Sequence, residues 1–315
     1  MMIGLWVGLG AGTLLGLWIY GERGRLLRPS TWRMIRLSGW RRFLNLATAH
    51  GYFYARFTDQ YVKIGSQYIA PLLGERGKRW LATHYHGKVL PTKLAQALIS
   101  VQEPIPLHDL EQIIPFPMAR DLILAGPPDI ALYPCPCRRL REDPCTPIDV
   151  CMVVGKPFVD FVLEHHPNSA RRISQDEAVE LLRAEHQRGH IHTAWFKDAA
   201  VDRFYGICNC CQCCCAGIEA MSQHGIPMII PSGYVAAIEH DRCNGCGRCV
   251  RGCPFGAMIM TVTKAGDKKA SLDWQACLGC GVCESLCPQG IIALVRDEGK
   301  GVPLDVRALP PIKTE

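Results

Sequence analysis

Two copies of one cysteine spacing constrain this chain more than any other feature of its 315 residues. Cys243, Cys246, Cys249 and Cys253, followed by Pro254, form C-x2-C-x2-C-x3-C-P; Cys277, Cys280, Cys283 and Cys287, followed by Pro288, repeat it 34 positions later. Disulfides do not explain the 18 cysteines, because in runs such as Cys213-Cys214-Cys215 neighbours cannot all reach partners at bridging geometry. Thiolates this dense repel one another when bare, so in a reducing compartment they need a cation or an inorganic cluster. Structural zinc fits poorly, since zinc sites use two separated ligand pairs rather than a duplicated four-cysteine run. Gly245, Gly247, Gly279 and Gly281 fall between the cysteines, where a loop wrapped round a cluster needs permissive dihedrals.

The duplicated run resembles that of bacterial two-cluster ferredoxins. Three closely spaced thiolates hold three irons of one cubane, and the fourth cysteine, carried off on the next turn, reaches the other cluster. The expected ligand sets are therefore Cys243, Cys246, Cys249 and Cys287 for one [4Fe–4S] cluster, and Cys277, Cys280, Cys283 and Cys253 for the other. All-cysteine ligation leaves no open iron, which favours electron transfer over substrate chemistry at these two clusters.

Ten cysteines remain. Cys135, Cys137, Cys145 and Cys151 are spaced C-x-C-x7-C-x5-C, and Cys208, Cys210, Cys211, Cys213, Cys214 and Cys215 occupy six of eight consecutive positions. Neither spacing identifies a cluster type. A further iron–sulfur cluster, zinc and unmetallated thiols all remain open, and the expectation is that the two groups meet around at least one additional cluster. His190 and His192 precede the second group and are candidate ligands or proton carriers, with His192 carried as a candidate iron ligand. No C-x-x-C-H occurs, which argues against attached c-type haem.

Tyr133-Pro134-Cys135-Pro136-Cys137-Arg138, then Cys145, Ile148-Asp149-Val150-Cys151, Ser174 to His192, Ile207 to Cys215 and the dicluster run together resemble a family of iron–sulfur dicluster proteins from anaerobic microbes. The resemblance covers roughly residues 105 to 295. It implies redox work and names no substrate.

Charge is unevenly distributed: the first hundred residues carry 14 Lys/Arg against 3 Asp/Glu, the remainder 21 against 26. Met2 to Tyr20 is apolar and uncharged, long enough as a helix to reach roughly 30 Å and span a bilayer core. With Arg23, Arg25, Arg28, Arg33, Arg36, Arg41 and Arg42 following it, the positive-inside rule predicts a single-pass anchor in the cytoplasmic membrane, its N-terminus outside and the bulk of the chain cytoplasmic. Gly4, Gly8, Gly12 and Gly16 would line one groove for a partner transmembrane helix. Aromatic and apolar residues from Trp32 to Ile64, interleaved with arginines, read as amphipathic helices on membrane lipid rather than a nucleic-acid surface.

Prolines between Pro104 and Pro147 leave room only for short helices over Leu107 to Ile114 and Ala119 to Leu124. Ser174 and Glu177 form a capping box for a helix stopping near Gly189, after which His190 to His192 begins a strand. Tyr234 to Glu239 and Met258 to Val262 read as strands.

The predicted fold class is α+β. A single N-terminal transmembrane helix (1–21) and basic amphipathic helices (22–100) precede a mixed α/β cysteine-rich middle domain (101–233), a bacterial ferredoxin-like dicluster domain (234–300) and a tail (301–315). No glycine-rich phosphate loop is present, so electrons come from a redox partner or an oxidoreductase complex. The chain reads as a membrane-anchored relay of single electrons, with no catalytic residue assigned. Its alternatives are a redox enzyme with an unusual cluster at Cys208 to Cys215, and a cluster-assembly scaffold.

Overall fold

The computed structural model describes residues 2–44, 47–102, 105–108, 121–124, 127–201 and 203–308; side-chain surroundings are not described for residues 2–11, 40–44, 105–108, 121–124 and 199. Helix and sheet are mixed, as expected. The strands are β1 (Tyr85–Leu90), β2 (Ile105–His108), β3 (Asp121–Leu124), β4 (Ile130–Pro134), β5 (Asp149–Val154), β6 (Arg171–Ile173), β7 (Ile191–Lys197), β8 (Arg203–Cys210), β9 (Ile229–Ile230), β10 (Tyr234–Ile238), β11 (Met258–Val262), β12 (Lys268–Leu272) and β13 (Ile292–Arg296).

The first nine form one sheet in the order β6-β4-β5-β8-β7-β1-β9, with the β2–β3 pair joined to β8. Pairing is antiparallel except for β1 with β9 and β3 with β8. β7 is buried at every position because both faces of the sheet are covered. On one face, Leu94 and Leu98 of helix Thr92–Ile99 and Ala178 and Leu182 of helix Gln175–Gln187 pack on Leu90, Ala194, Phe196 and Ile207. On the other, Ile218 of helix Ala216–His224 packs with Val89, Ile191, Trp195 and Ile229. Fully burying apolar side chains of this size stabilises by about 1.5–3 kcal/mol each.

The helix after Ser174 is capped as its sequence requires, the Ser174 Oγ accepting from the Glu177 N–H at 3.1 Å. Residues 107–108 and 121–124 lie in strands, not in the short helices expected there, while 109–114 and 119–120 of that expectation lie outside the described residues. Residues 234–296 form a separate unit in which β10 pairs with β13 and β11 with β12, each antiparallel.

The N-terminal reading needs correction. A helix does run Met2–Gly21, yet among the described residues no helix is long and apolar enough to cross a membrane. The end of this helix is built into the protein instead. Trp18 stacks on Tyr52 at 4.9 Å between centroids, and Arg56 Nε donates to the Gly21 carbonyl at 2.7 Å. Glu22, fully buried, accepts from the Arg28 N–H at 2.5 Å and from Thr31 Oγ1 at 2.9 Å.

The arginines read as a topology signal are partly spent inside the molecule, Arg33 on Asp160 at 3.4 Å and Arg23 on the His165 carbonyl at 3.4 Å. The transmembrane helix, and with it the single-pass placement with an outside N-terminus, is therefore withdrawn. Of the proposed glycine groove, Gly4 and Gly8 lie outside the residues whose surroundings are described, and Gly12 and Gly16 have nothing within 4 Å of an added Cβ.

Candidate metal centres

In the C-terminal unit, each cysteine loop leads into a short helix, Arg248–Arg251 and Val282–Leu286. Two glycines make these loops possible. Gly245 has φ +69° and a Cβ there would strike the Lys268 carbonyl; Gly279 has φ +66° and a Cβ would strike the Tyr234 carbonyl and Ser232 Oγ. Glycine alone tolerates both the conformation and the approach.

The loops place Cys243, Cys246, Cys249 and Cys287 around one void, together with Ile238, Ala270 and Ile292. Cys253, Cys277, Cys280 and Cys283 surround a second, together with Ala236, Ala257 and Leu294. Each void thus has three sulfurs from one run and one from the other. The Ala270 N–H points to Cys243 Sγ at 3.5 Å and the Ala257 N–H to Cys253 Sγ at 3.2 Å, contacts that stabilise thiolate charge. The Ala270 bond holds the Cys243 thiol below its ordinary range, whereas burial pushes Cys280 up to about 12. Four sulfurs around an apolar void, with N–H donors aimed at sulfur, are a donor set that fits a [4Fe–4S] cluster.

The remaining ten cysteines come together too, but not in the groups their spacing implies. Six form a ring in the wall of one cavity: Cys135, Cys137, Cys151 and Cys208 pack in one cluster, and Cys208, Cys210 and Cys215 in the next. The local structure explains the membership. Cys208 and Cys210 are two apart on β8 and share a face, while Asn209 between them faces the other way and donates to the Val150 carbonyl at 2.7 Å. Cys151 lies on β5, Cys135 and Cys137 flank the start of helix Pro136–Arg139, and Cys215 caps helix Ala216–His224. Hydrogen bonds from Cys151 and Cys210 draw the Cys208 thiol down to about 6.

The other four form a second group, Cys145 meeting three cysteines of the turn after β8. Sulfurs of Cys145, Cys211 and Cys213 lie within 4.8 Å of one another, Cys213 Sγ is 3.5 Å from Cys214 Sγ, and the Cys145 N–H points to Cys214 Sγ at 3.4 Å. Cys213 is exposed, Cys145 half-buried, and Cys211 and Cys214 buried.

Positive charge lies beside both groups. Arg138, wholly buried, donates to Glu185 at 2.9 Å and to the Asn209 carbonyl at 3.1 Å, and Arg141 donates to the Cys214 carbonyl at 3.2 Å. Glu185 also lies 2.7 Å from His190 Nδ1, and His190 Nε2 is 3.4 Å from Cys145 Sγ. Of the two candidate histidines, His190 is thus the one beside a cysteine. His192 Nδ1 is 2.6 Å from Asn209 Oδ1, and its buried Nε2 has no hydrogen-bond partner. The Arg138–Glu185–His190 arrangement was not foreseen in the sequence, because Glu185 sits in the last turn of its helix with no local signal that it is fully buried.

Residues 242–291 match the family model of the 4Fe-4S dicluster domain. No curated protein matches the chain.

Proposed function

We propose that this chain is a multi-cluster iron–sulfur protein that relays single electrons between a redox partner and an acceptor. In this reading, Cys243, Cys246, Cys249 and Cys287 hold one [4Fe–4S] cluster, Cys277, Cys280, Cys283 and Cys253 the second, and the six-thiolate and four-thiolate groups hold additional iron–sulfur centres. The clusters, when bound, supply one-electron redox chemistry. The protein's part is to hold them close together, exclude water and tune their potentials through burial and N–H bonds to sulfur.

One observation carries the relay reading. Cys280 of the C-terminal unit packs in the same apolar cluster as Cys210 and Cys215 of the six-thiolate ring, with Leu278 and Val282 alongside. A second contact joins the units near Gly281, where a Cβ would lie 3.8 Å from His186 Cε1, one residue from Glu185.

Ligand exchange tests the C-terminal assignment. In full-length protein, Cys253→Ala is expected to reproduce the EPR and iron loss of Cys277→Ala, and Cys287→Ala that of Cys243→Ala. If Cys253→Ala instead matches Cys243→Ala, the cross-ligation is wrong.

A redox enzyme is the second reading. It is favoured by the cavity of about 480 Å3 that the six-thiolate ring lines.

A further inference from the structure

This cavity has the cysteine ring in part of its wall and a cage of aromatic side chains in the rest. Its volume falls in the range of roughly 300–1,000 Å3 typical of small-molecule sites. Tyr85 and Tyr205 pack on the same apolar cluster as Cys208, and Tyr54 bonds to Tyr205, so the cage adjoins the ring.

Lys197 sits in the cage, 2% exposed. Its Nζ lies 3.9 Å from the ring centre of Tyr61 and 4.2 Å from those of Tyr54 and Tyr85, and it donates to the Tyr61 hydroxyl at 2.6 Å. An ammonium has three protons to place. Aromatic faces attract it, but less strongly than an anion taken into the same dry site. The neighbouring Asp198 carboxylate lies 3.8 Å from His50 Nδ1 and only partly offsets the burial that lowers Lys197 to about 7.

Two positions earlier on β7, Trp195 is 3% exposed, stacks on Tyr85 at 4.7 Å and has an indole N–H without a hydrogen-bond partner. A buried indole N–H ordinarily finds an acceptor. Tyr54 and Tyr205, by contrast, satisfy each other at 2.6 Å. The two residues packed on Tyr85 thus bring an amine and an orphaned donor to the wall of a mostly apolar cavity that also carries His50, Arg138, Asp198 and Asn209.

We propose that the aromatic end of this cavity binds a small organic carboxylate, its charged end on Lys197 Nζ and Trp195 Nε1 and its apolar body against Tyr54, Tyr61, Tyr85 and Tyr205, beside Cys208. A purely apolar ligand leaves the Trp195 N–H unpaired and Lys197 Nζ with no partner beyond Tyr61 and the aromatic faces. A polyanion brings more charge than one ammonium neutralises.

Benzoate, with benzyl alcohol as the neutral control, is titrated calorimetrically into the anaerobic, iron-loaded full-length protein. One benzoate per chain is expected, with benzyl alcohol at least ten-fold weaker. Lys197→Met should weaken benzoate at least ten-fold, Lys197→Arg should recover part of that loss, and Trp195→Phe, which keeps the apolar bulk, should weaken it several-fold. Iron and sulfide are measured in each preparation, so that cluster loss is read apart from ligand loss. No binding to the unaltered protein, equal binding of benzyl alcohol, or unchanged affinity in both Lys197→Met and Trp195→Phe overturns the proposal. Benzoate binding by protein whose middle cysteines carry no iron supports this site while rejecting the additional centres.

Discussion

At the scale of single residues, the telling groups are buried charges beside the cysteines. Arg138 and Glu185 are both 0% exposed and 2.9 Å apart, and removing one member of such a pair strands the other. Glu185 keeps Arg188 at 2.9 Å and His190 at 2.7 Å, so Arg138→Ala is expected to cost about 3 kcal/mol, the lower end for a broken buried pair, in anaerobic denaturant unfolding. A cost under about 1 kcal/mol would mean that Glu185 is already satisfied without the arginine.

His165 gives a pH-dependent case. Burial, reinforced by Arg56, pulls its imidazole down to about 3, so between about pH 6.5 and 3 the unfolded chain binds a proton that the folded chain does not. Stability therefore falls as pH falls through that window. His165→Gln removes the effect, and its penalty relative to the unaltered protein should shrink by about 2 kcal/mol between pH 7 and pH 5. A penalty independent of pH would reject the assignment.

At the scale of elements, the legible parts were those specified by neighbours in sequence. The capped helix after Ser174 and the strands at 234–238 and 258–262 follow from local caps and alternation. Ser174→Ala should lower the thermal midpoint by an amount equivalent to about 1 kcal/mol, the worth of one N-cap. Strands β2 and β3 were not legible, because the pairing of Ile105 with Leu124 and of Asp121 with Arg203 is decided by tertiary context that propensity does not record. The N-terminal helix failed differently. Its apolar length was plain, but nothing local announced that Glu22 would be buried and its end clasped by Arg56, Tyr52 and Thr31. In the cysteine loops, Gly279→Ala forces a positive φ on a residue with a Cβ facing backbone, and should cost about 2 kcal/mol or more. Iron analysis and EPR should show the damage centred on the cluster assigned to Cys277, Cys280 and Cys283.

At the scale of the whole molecule, the division of the C-terminal cysteines into two fours was legible because cysteine spacing separates two loops, and the same eight residues surround two small voids in the structure. The sorting of the middle cysteines into six and four was not, since only Cys208 and Cys210 share a strand and the rest are brought to them by the tertiary fold. If both groups bind clusters, the intact chain carries more iron than the about eight atoms of two [4Fe–4S] clusters. Cys213→Ser should then remove iron while leaving the EPR signals of the C-terminal pair unchanged. Iron of about eight in the unaltered chain would confine the relay to the C-terminal unit.

The two-residue step from Cys208 to Cys210 on β8 makes the stretch from Cys208 to Cys215 behave like a reading frame. Delete one residue before Cys208, and the alternation of the strand presents Asn209 and Cys211 where Cys208 and Cys210 had been; insert one, and Ile207 and Asn209 stand there. Neither group would then keep its members, although every cysteine would still be present. Length in this segment is therefore as much a part of the site as composition, and a one-residue shift here is a sharper lesion than the loss of any single thiol.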